Sequence, residues 1–433
     1  MISRRDMLSA MMAGLVFPSF GHAAGTKMTL RPEPVSLKAI GGQSEWGGLL
    51  GFNGSIPGPE IRVQQGAKVD VRLDNGLREG AAIHWHGVRV PNRMDGVPIL
   101  TQEVVPPGSR FDYRFSPPDA GTFWYHSHYL SYEQVGRGLF GPLIVEEQSP
   151  PDVDQDITVM LTDFKVTPQG EFDTDFSVQD EFSTAGRLGS LLAMFPSEDS
   201  VKQGGRVRLR LINSAIDRVF ALEITGLNGF VVAMDGMPLV EPTPLGRLIV
   251  APSQRVDIIG DVLSNIDVAS IADGQKTTVG RIKAKGNDPT KLRGLVQPLP
   301  QHNLPAPGTP KRELNLVMQG GVGGVEHGGF GSWAFNDVSG LPRQPLGRFR
   351  RGDTGVIHLI NQTDFPHAVH LHGHHFREVL PNKSVGPFRD TLLVQPWESK
   401  QIACVFDNVG RWLMHCHMLS HSIDGMATWI EVS

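Results

Sequence analysis

One pattern recurs three times in this 433-residue chain and limits the folds open to it. Val63-Gln64-Gln65-Gly66 leads into Val69-Asp70-Val71-Arg72-Leu73 and Asn75. Val201-Lys202-Gln203-Gly204 leads into Val207-Arg208-Leu209-Arg210-Leu211 and Asn213. Phe349-Arg350-Arg351-Gly352 leads into Val356-Ile357-His358-Leu359-Ile360 and Asn361. Each glycine stands nine residues before its asparagine, and apolar and polar side chains alternate between them, as in a half-buried strand. Copies about 140 residues apart describe three similar β-domains, not a short-period solenoid.

The composition supports that reading. Fifty glycines and 32 prolines favour short strands joined by turns over long helices. Forty per cent hydrophobic and 20% charged residues describe a globular protein with cores to bury. A net charge of -5 gives no reason to expect nucleic acid as partner. Two cysteines exclude a disulfide framework. Ser149-Pro150-Pro151 closes the first domain, and five prolines from Pro298 to Pro310 stiffen the passage to the third. The expected division is 1–24, 25–150, 151–305 and 306–433. The glycine-rich stretch Gly320–Gly331 lacks a P-loop Lys-Ser/Thr and reads as a long surface loop.

Residues 1–24 stand apart. Ser3-Arg4-Arg5-Asp6-Met7-Leu8 precedes an apolar run to Phe20, followed by Gly21-His22-Ala23. This resembles a twin-arginine export signal, which implies a periplasmic protein. The apolar run is too short to span a bilayer, so no stable membrane insertion is expected.

Ten of the sixteen histidines fall in four short stretches. They are His84-Trp85-His86, His126-Ser127-His128, His367-x-x-His370-x-His372 and His415-Cys416-His417-x-x-x-His421, the last followed by Met426. The repeat relates them. His84 and His86 lie 18 and 20 residues after Gly66, and His370 and His372 lie 18 and 20 after Gly352. The middle copy has Leu222 and Ile224 there, which bind no metal. Likewise Gly121 to His128 aligns with Gly410 to His417. The first and third domains thus offer two H-x-H pairs each, and the second offers none. Residues i and i+2 of a strand share a face, so each pair is aimed into one cleft and Cys416 points the other way. Imidazole, thiolate and thioether together suit copper, and two histidines with one cysteine and one methionine are the ligands of a blue electron-transfer site.

These clusters resemble the four copper signatures of the multicopper oxidases, the group that includes laccases, bacterial cuprous oxidases and ascorbate oxidase. The resemblance implies an all-β chain of three cupredoxin-like Greek-key domains holding four copper ions. By position, His367, Cys416 and His421 would bind the type 1 copper with Met426 axial, and His84 and His370 the type 2 copper. His86, His126 and His417 would bind one type 3 copper, and His128, His372 and His415 the other. It also implies that dioxygen is reduced to two waters by four one-electron oxidations of a small-molecule or metal-ion donor, by a monomer. Asp95 matches a family aspartate that assists proton delivery, although Asp95-Gly96 also reads as a simple turn.

Two departures bear on function. Ser422 follows His421 where cuprous oxidases often carry an acid, and the chain has no methionine-rich insert. The donor therefore stays open among Cu(I), Mn(II) and phenols, with copper tolerance as one role. A non-catalytic envelope or cell-division scaffold, or a copper-binding protein, is the alternative. Asp364 reads as a loop acid before a donor contact. Trp397 and Trp412 read as core or cluster-shielding aromatics, Cys404 as a buried small residue, and Arg389-Asp390-Thr391 as a strand-orienting segment without chemistry.

Overall fold

The computed structural model describes residues 26–38, 45–286 and 293–433. The expected export segment lies outside them. The regular structure of the described chain is almost entirely strand, with short helices such as Ser131–Gly136 and Leu419–Ile423. None of its helices is long and apolar enough to cross a membrane.

The three sequence copies form the same local structure. The strands Val69–Asp74, Arg206–Asn213 and Asp353–Asn361 each lie between a parallel and an antiparallel neighbour. The parallel partners are Thr26–Leu30, Gln155–Phe164 and Arg312–Gly320. The antiparallel ones are Arg110–Phe115, Arg255–Ala272 and Ser399–Phe406. The glycine of each copy opens the strand from a left-handed turn, with φ of 79° at Gly66, 76° at Gly204 and 89° at Gly352.

The repeated asparagines close the same strands by one shared device. Asn75 Oδ1 accepts from Leu77 N, Asn213 Oδ1 from Ala215 N and Asn361 Oδ1 from Thr363 N. Each Nδ2 then donates to backbone carbonyls, on Glu79 and Val105, on Arg218 and Val250, and on Phe365 and Gln395 with a longer contact to Val394. A buried turn thereby has its polar groups satisfied from one side chain.

Each copy belongs to its own hydrophobic core. One runs from Leu30 to Val145 and also takes in Met237 of the middle domain, the next runs from Ile157 to Ile282, and the third from Leu316 to Val432. Leu222 and Ile224, which stand in the middle copy where the others have histidines, pack inside the second core.

Two strand pairs carry the histidines. Ile83–His86 lies antiparallel to Gly121–Ser127 with His84 opposite His126. His367–Leu371 lies antiparallel to Gly410–Cys416 with His370 opposite His415. Trp412 is a core residue, but Trp397 is not. It is more than half exposed, at φ 58°, and its indole N–H donates to Asp364 Oδ1 at 2.7 Å. The tight turn before Ser399–Phe406 turns it outward.

Candidate metal centre

Eight imidazoles from the first and third domains meet in one buried cluster. The His86 and His370 rings stack at 3.8 Å, and His84 lies 3.9 Å from His372. His417 lies 4.9 Å from His86 and 5.3 Å from His126, while His128 lies 5.1 Å from His372 and 5.6 Å from His415. Burial is the chief cause that holds His86, His126, His372, His415 and His417 well below the usual imidazole range. It holds His128 at about 3. These rings are therefore neutral at pH 7, the form in which imidazole binds metal.

Six of the eight rings are oriented by an acceptor outside the cluster. Carbonyl oxygens of Asp95, Ser127, Asp390 and Cys416 lie 2.8–3.0 Å from Nδ1 of His84, His126, His370 and His415. A carbonyl only accepts, so each Nδ1 carries the proton and each Nε2 presents a lone pair. His86 is reversed: its Nε2 donates to Asp390 Oδ1 at 3.2 Å, which frees Nδ1. Asp95 Oδ2 accepts from His372 Nδ1 at 3.0 Å, and Oδ1 lies 3.2 Å from His84 Nδ1.

Those freed nitrogens are what a cation requires. Nε2 of His84, His126 and His370, Nδ1 of His86 and both nitrogens of His417 are buried without a hydrogen-bond partner. His372 and His415 direct Nε2 at Nε2 across 3.2 Å. Triads able to hold one ion include His128, His372 and His415, then His84, His86 and His126, and also His84, His370 and His372.

A second site lies behind the Cys416 strand. His367 and His421 face each other Nδ1 to Nδ1 at 3.0 Å, with Cys416 Sγ 3.7 and 3.8 Å from them. His421 Nε2 donates to the carbonyl of Thr184 at 2.8 Å, and His367 Nε2 lies 2.8 Å from Thr363 Oγ1. Met426 is fully buried in the same core, and its carbonyl accepts from Cys416 N at 3.1 Å. Burial pushes the Cys416 thiol up to about 12 in the absence of a cation. The indole of Trp333 packs 4.1 Å from His421 and 5.1 Å from His367.

The first domain shows what replaces this site where no metal is needed. Ser127, aligned with Cys416, donates to Gln134 Oε1 at 2.5 Å. Tyr132, aligned with His421, donates to Glu181 Oε2 at 2.8 Å.

A fold of this kind with thiolate and imidazole sites joined back to back defines a class, and comparison with known proteins agrees. Multicopper oxidase family models match residues 40–150, 176–268 and 311–433. The chain is 42% identical to Lac15 from a marine microbial metagenome, with a TM-score of 0.81 over 94% of this chain and all of that one. It is 30% identical to a multi-copper oxidase of Pseudomonas thermotolerans, with a TM-score of 0.84 over 95% of this chain and 100% of the other. Multicopper oxidase MmcO of Mycobacterium tuberculosis is 28% identical over 93% of this chain and 86% of its own length. The chain belongs to the multicopper oxidase family. It is a copper-binding oxidoreductase that uses dioxygen and an electron donor.

Two residues at the cluster escaped the sequence reading. Asp390, there assigned no chemistry, is fully buried against His86 and His370. Arg255, from the domain without histidine pairs, lies behind it. No local spacing marks either one, because the Asp390–His86 and Arg255–Asp390 contacts are made between domains.

Proposed function

We propose that this chain is a laccase-like oxidase of four coppers, one type 1, one type 2 and a type 3 pair. The observation that carries the reading is the double role of one strand end. Cys416 faces His367 and His421, while its neighbours His415 and His417 face the eight-imidazole cluster. When bound, copper supplies one-electron acceptance at the cysteine site and four-electron reduction of dioxygen at the cluster.

The chain's own residues do the rest. His367, Cys416, His421 and Met426 form the entry site, with Trp333 excluding water from both imidazoles. His84 and His370 would hold the type 2 copper, His86, His126 and His417 one type 3 copper, and His128, His372 and His415 the other. Asp95 holds a carboxylate against His84 and His372 and delivers protons there. Its contact with two ring nitrogens favours that role over a turn alone.

An organic donor of aromatic character is favoured over a bare metal ion by the surface near His421. Ile423 on the same helix is exposed and apolar, as are Val322 and Phe330 on the loop whose Gly331 lies against Asp424 at that helix end. Val322 N donates to Ser183 O, next to the carbonyl that holds His421. Periplasmic export through residues 1–24 and a monomeric state complete the reading. Oxygen uptake by the copper-loaded protein, compared across a phenol, Mn(II) and Cu(I), tests it. A protein that stays colourless and consumes no oxygen with any donor would refute it.

A further inference from the structure

The middle domain supplies none of these ligands, yet its Arg255 is fully buried where the three domains meet. Nε donates to the carbonyl of Thr122 at 3.0 Å, on the first-domain strand that carries His126. Nη1 donates to Ser253 O at 3.2 Å and Asp390 Oδ1 at 2.9 Å. Nη2 donates to Asp235 O at 2.8 Å and Asp390 Oδ2 at 2.6 Å. All five guanidinium donors are thereby used, in the fork geometry that only arginine offers.

Asp390 passes this arrangement on to the cluster. Its Oδ1 accepts from His86 Nε2 at 3.2 Å and from Thr391 Oγ1 at 2.8 Å. Its backbone carbonyl accepts from His370 Nδ1 at 2.8 Å. The same middle-domain loop grips the next residue, with Ser253 Oγ 3.0 Å from Thr391 Oγ1 and Gln254 Nε2 donating to Thr391 O at 3.0 Å. Gly87 is the independent mark of this design. A Cβ there would lie 2.3 Å from Arg255 Nη2 and 2.7 Å from Asp390 Oδ2, so the pair reaches His86 only because the next residue has no side chain.

We infer that Arg255 and Asp390 are a positioning pair through which the copper-free domain sets the tautomer and placement of His86 and His370. These are one imidazole from each flanking domain, stacked at 3.8 Å. The inference rests on the copper reading above. Its physical content is that the interface between the first and third domains is not self-sufficient. Without the charged acceptor, His86 Nε2–H is left unpaired and Nδ1 is no longer enforced as the metal-facing nitrogen. Without Arg255, the Asp390 carboxylate is a buried charge with no cation.

The test uses the full chain with Arg255→Lys and Asp390→Asn, and Arg208→Lys as control. Arg208 is equally buried, but pairs with Glu147 and Asp257. Each protein is loaded with Cu(II), its copper is counted after chelator challenge, and its electron paramagnetic resonance and blue absorption are recorded. The two positioning variants are expected to keep the blue band of the Cys416 site. They should lose or alter the type 2 signal, with cluster copper held about 10- to 100-fold more weakly. Arg208→Lys is expected to lower the melting temperature without changing the type 2 signal. An unchanged type 2 signal and unchanged copper retention in Asp390→Asn would overturn the inference, and that variant decides the matter if Arg255→Lys fails to fold. Should the wild-type chain itself take up no cluster copper, the four-copper reading falls instead.

Discussion

His367 and His421 place Nδ1 against Nδ1 at 3.0 Å, and neither ring has a proton to put between them. His421 spends its N–H on the Thr184 carbonyl. His367 Nε2 lies 2.8 Å from Thr363 Oγ1, whose hydroxyl donates to Asn361 Oδ1 and Phe365 O and so is left to accept from that nitrogen. Two lone pairs aimed at one point repel unless a cation lies there, and Cys416 Sγ converges on the same point. His372 and His415 repeat the motif Nε2 to Nε2 at 3.2 Å, on the other face of the Cys416 strand.

Replacing that sulfur is the sharpest test of the entry site. Cys416→Ser is expected to abolish the blue absorption and donor oxidation while the protein remains folded. The buried hydroxyl costs about 1–3 kcal/mol of stability if it finds no partner. Ser127 shows that this strand position tolerates serine when a residue such as Gln134 accepts from it. Absorption and thermal melting of the variant check both halves, and a variant that remains blue would exclude Cys416 as a ligand.

Asp95 separates electron entry from oxygen reduction. Asp95→Asn keeps the size of the side chain but removes the charge held against His84 and His372. Oxygen uptake is expected to fall by about 10²- to 10⁴-fold, the range of a lost general acid–base group. Anaerobic bleaching of the blue band by the donor should continue at close to the wild-type rate. Equal loss in both measurements would assign Asp95 a structural role only.

Thr363 links the strand-closing asparagine to the metal site. Its hydroxyl bonds His367 and Asn361, so Thr363→Val leaves the His367 Nε2–H buried without an acceptor. A loss of about 1–3 kcal/mol in stability is expected, together with a shift in the potential of the blue site as the ring loses its anchor. Redox titration beside a denaturant melt measures the two effects. An unmoved potential would show that His367 is held by packing alone.

Stability of the metal-free protein should depend on pH in a defined sense. Burial holds His128 and His375 at about 3 and His374 and His421 at about 4. In the unfolded chain such groups titrate near about 6.5. Between those values the unfolded chain binds protons that the native state does not, so stability rises with pH across the window and levels off above it. Asp217, pushed up to about 7 by burial, and Asp163, also raised by burial, work in the opposite sense, but they are two carboxyls against several imidazoles. Melting temperatures of the metal-free protein are expected to hold steady from about pH 7 to 8 and to fall steadily below about pH 6.5. A melting temperature that climbs on acidification would contradict the neutral, buried state of these rings.

Much of the candidate site was legible because its information is local. A strand alternates with period two, so His415 and His417 had to share a face and Cys416 had to take the other. The glycine-to-asparagine repeat was legible for the same reason: one turn residue and one turn-closing side chain bracket each strand. Trp397 was misread because an aromatic residue is buried by default, and only the turn geometry exposes it.

What the amino-acid order determined alone is the donor set, its division between two β-domains and its absence from the third. Those properties follow from residue type and strand period and need no knowledge of packing. What orients the donors belongs to the tertiary structure. Asp390 reaches His86 across 304 residues, Arg255 reaches Asp390 across 135, and Thr184 reaches His421 across 237. Hydrogen bonds between domains leave no periodicity in the chain. Their energetic force comes from burial, which the sequence does not specify until the three cores have closed on one another.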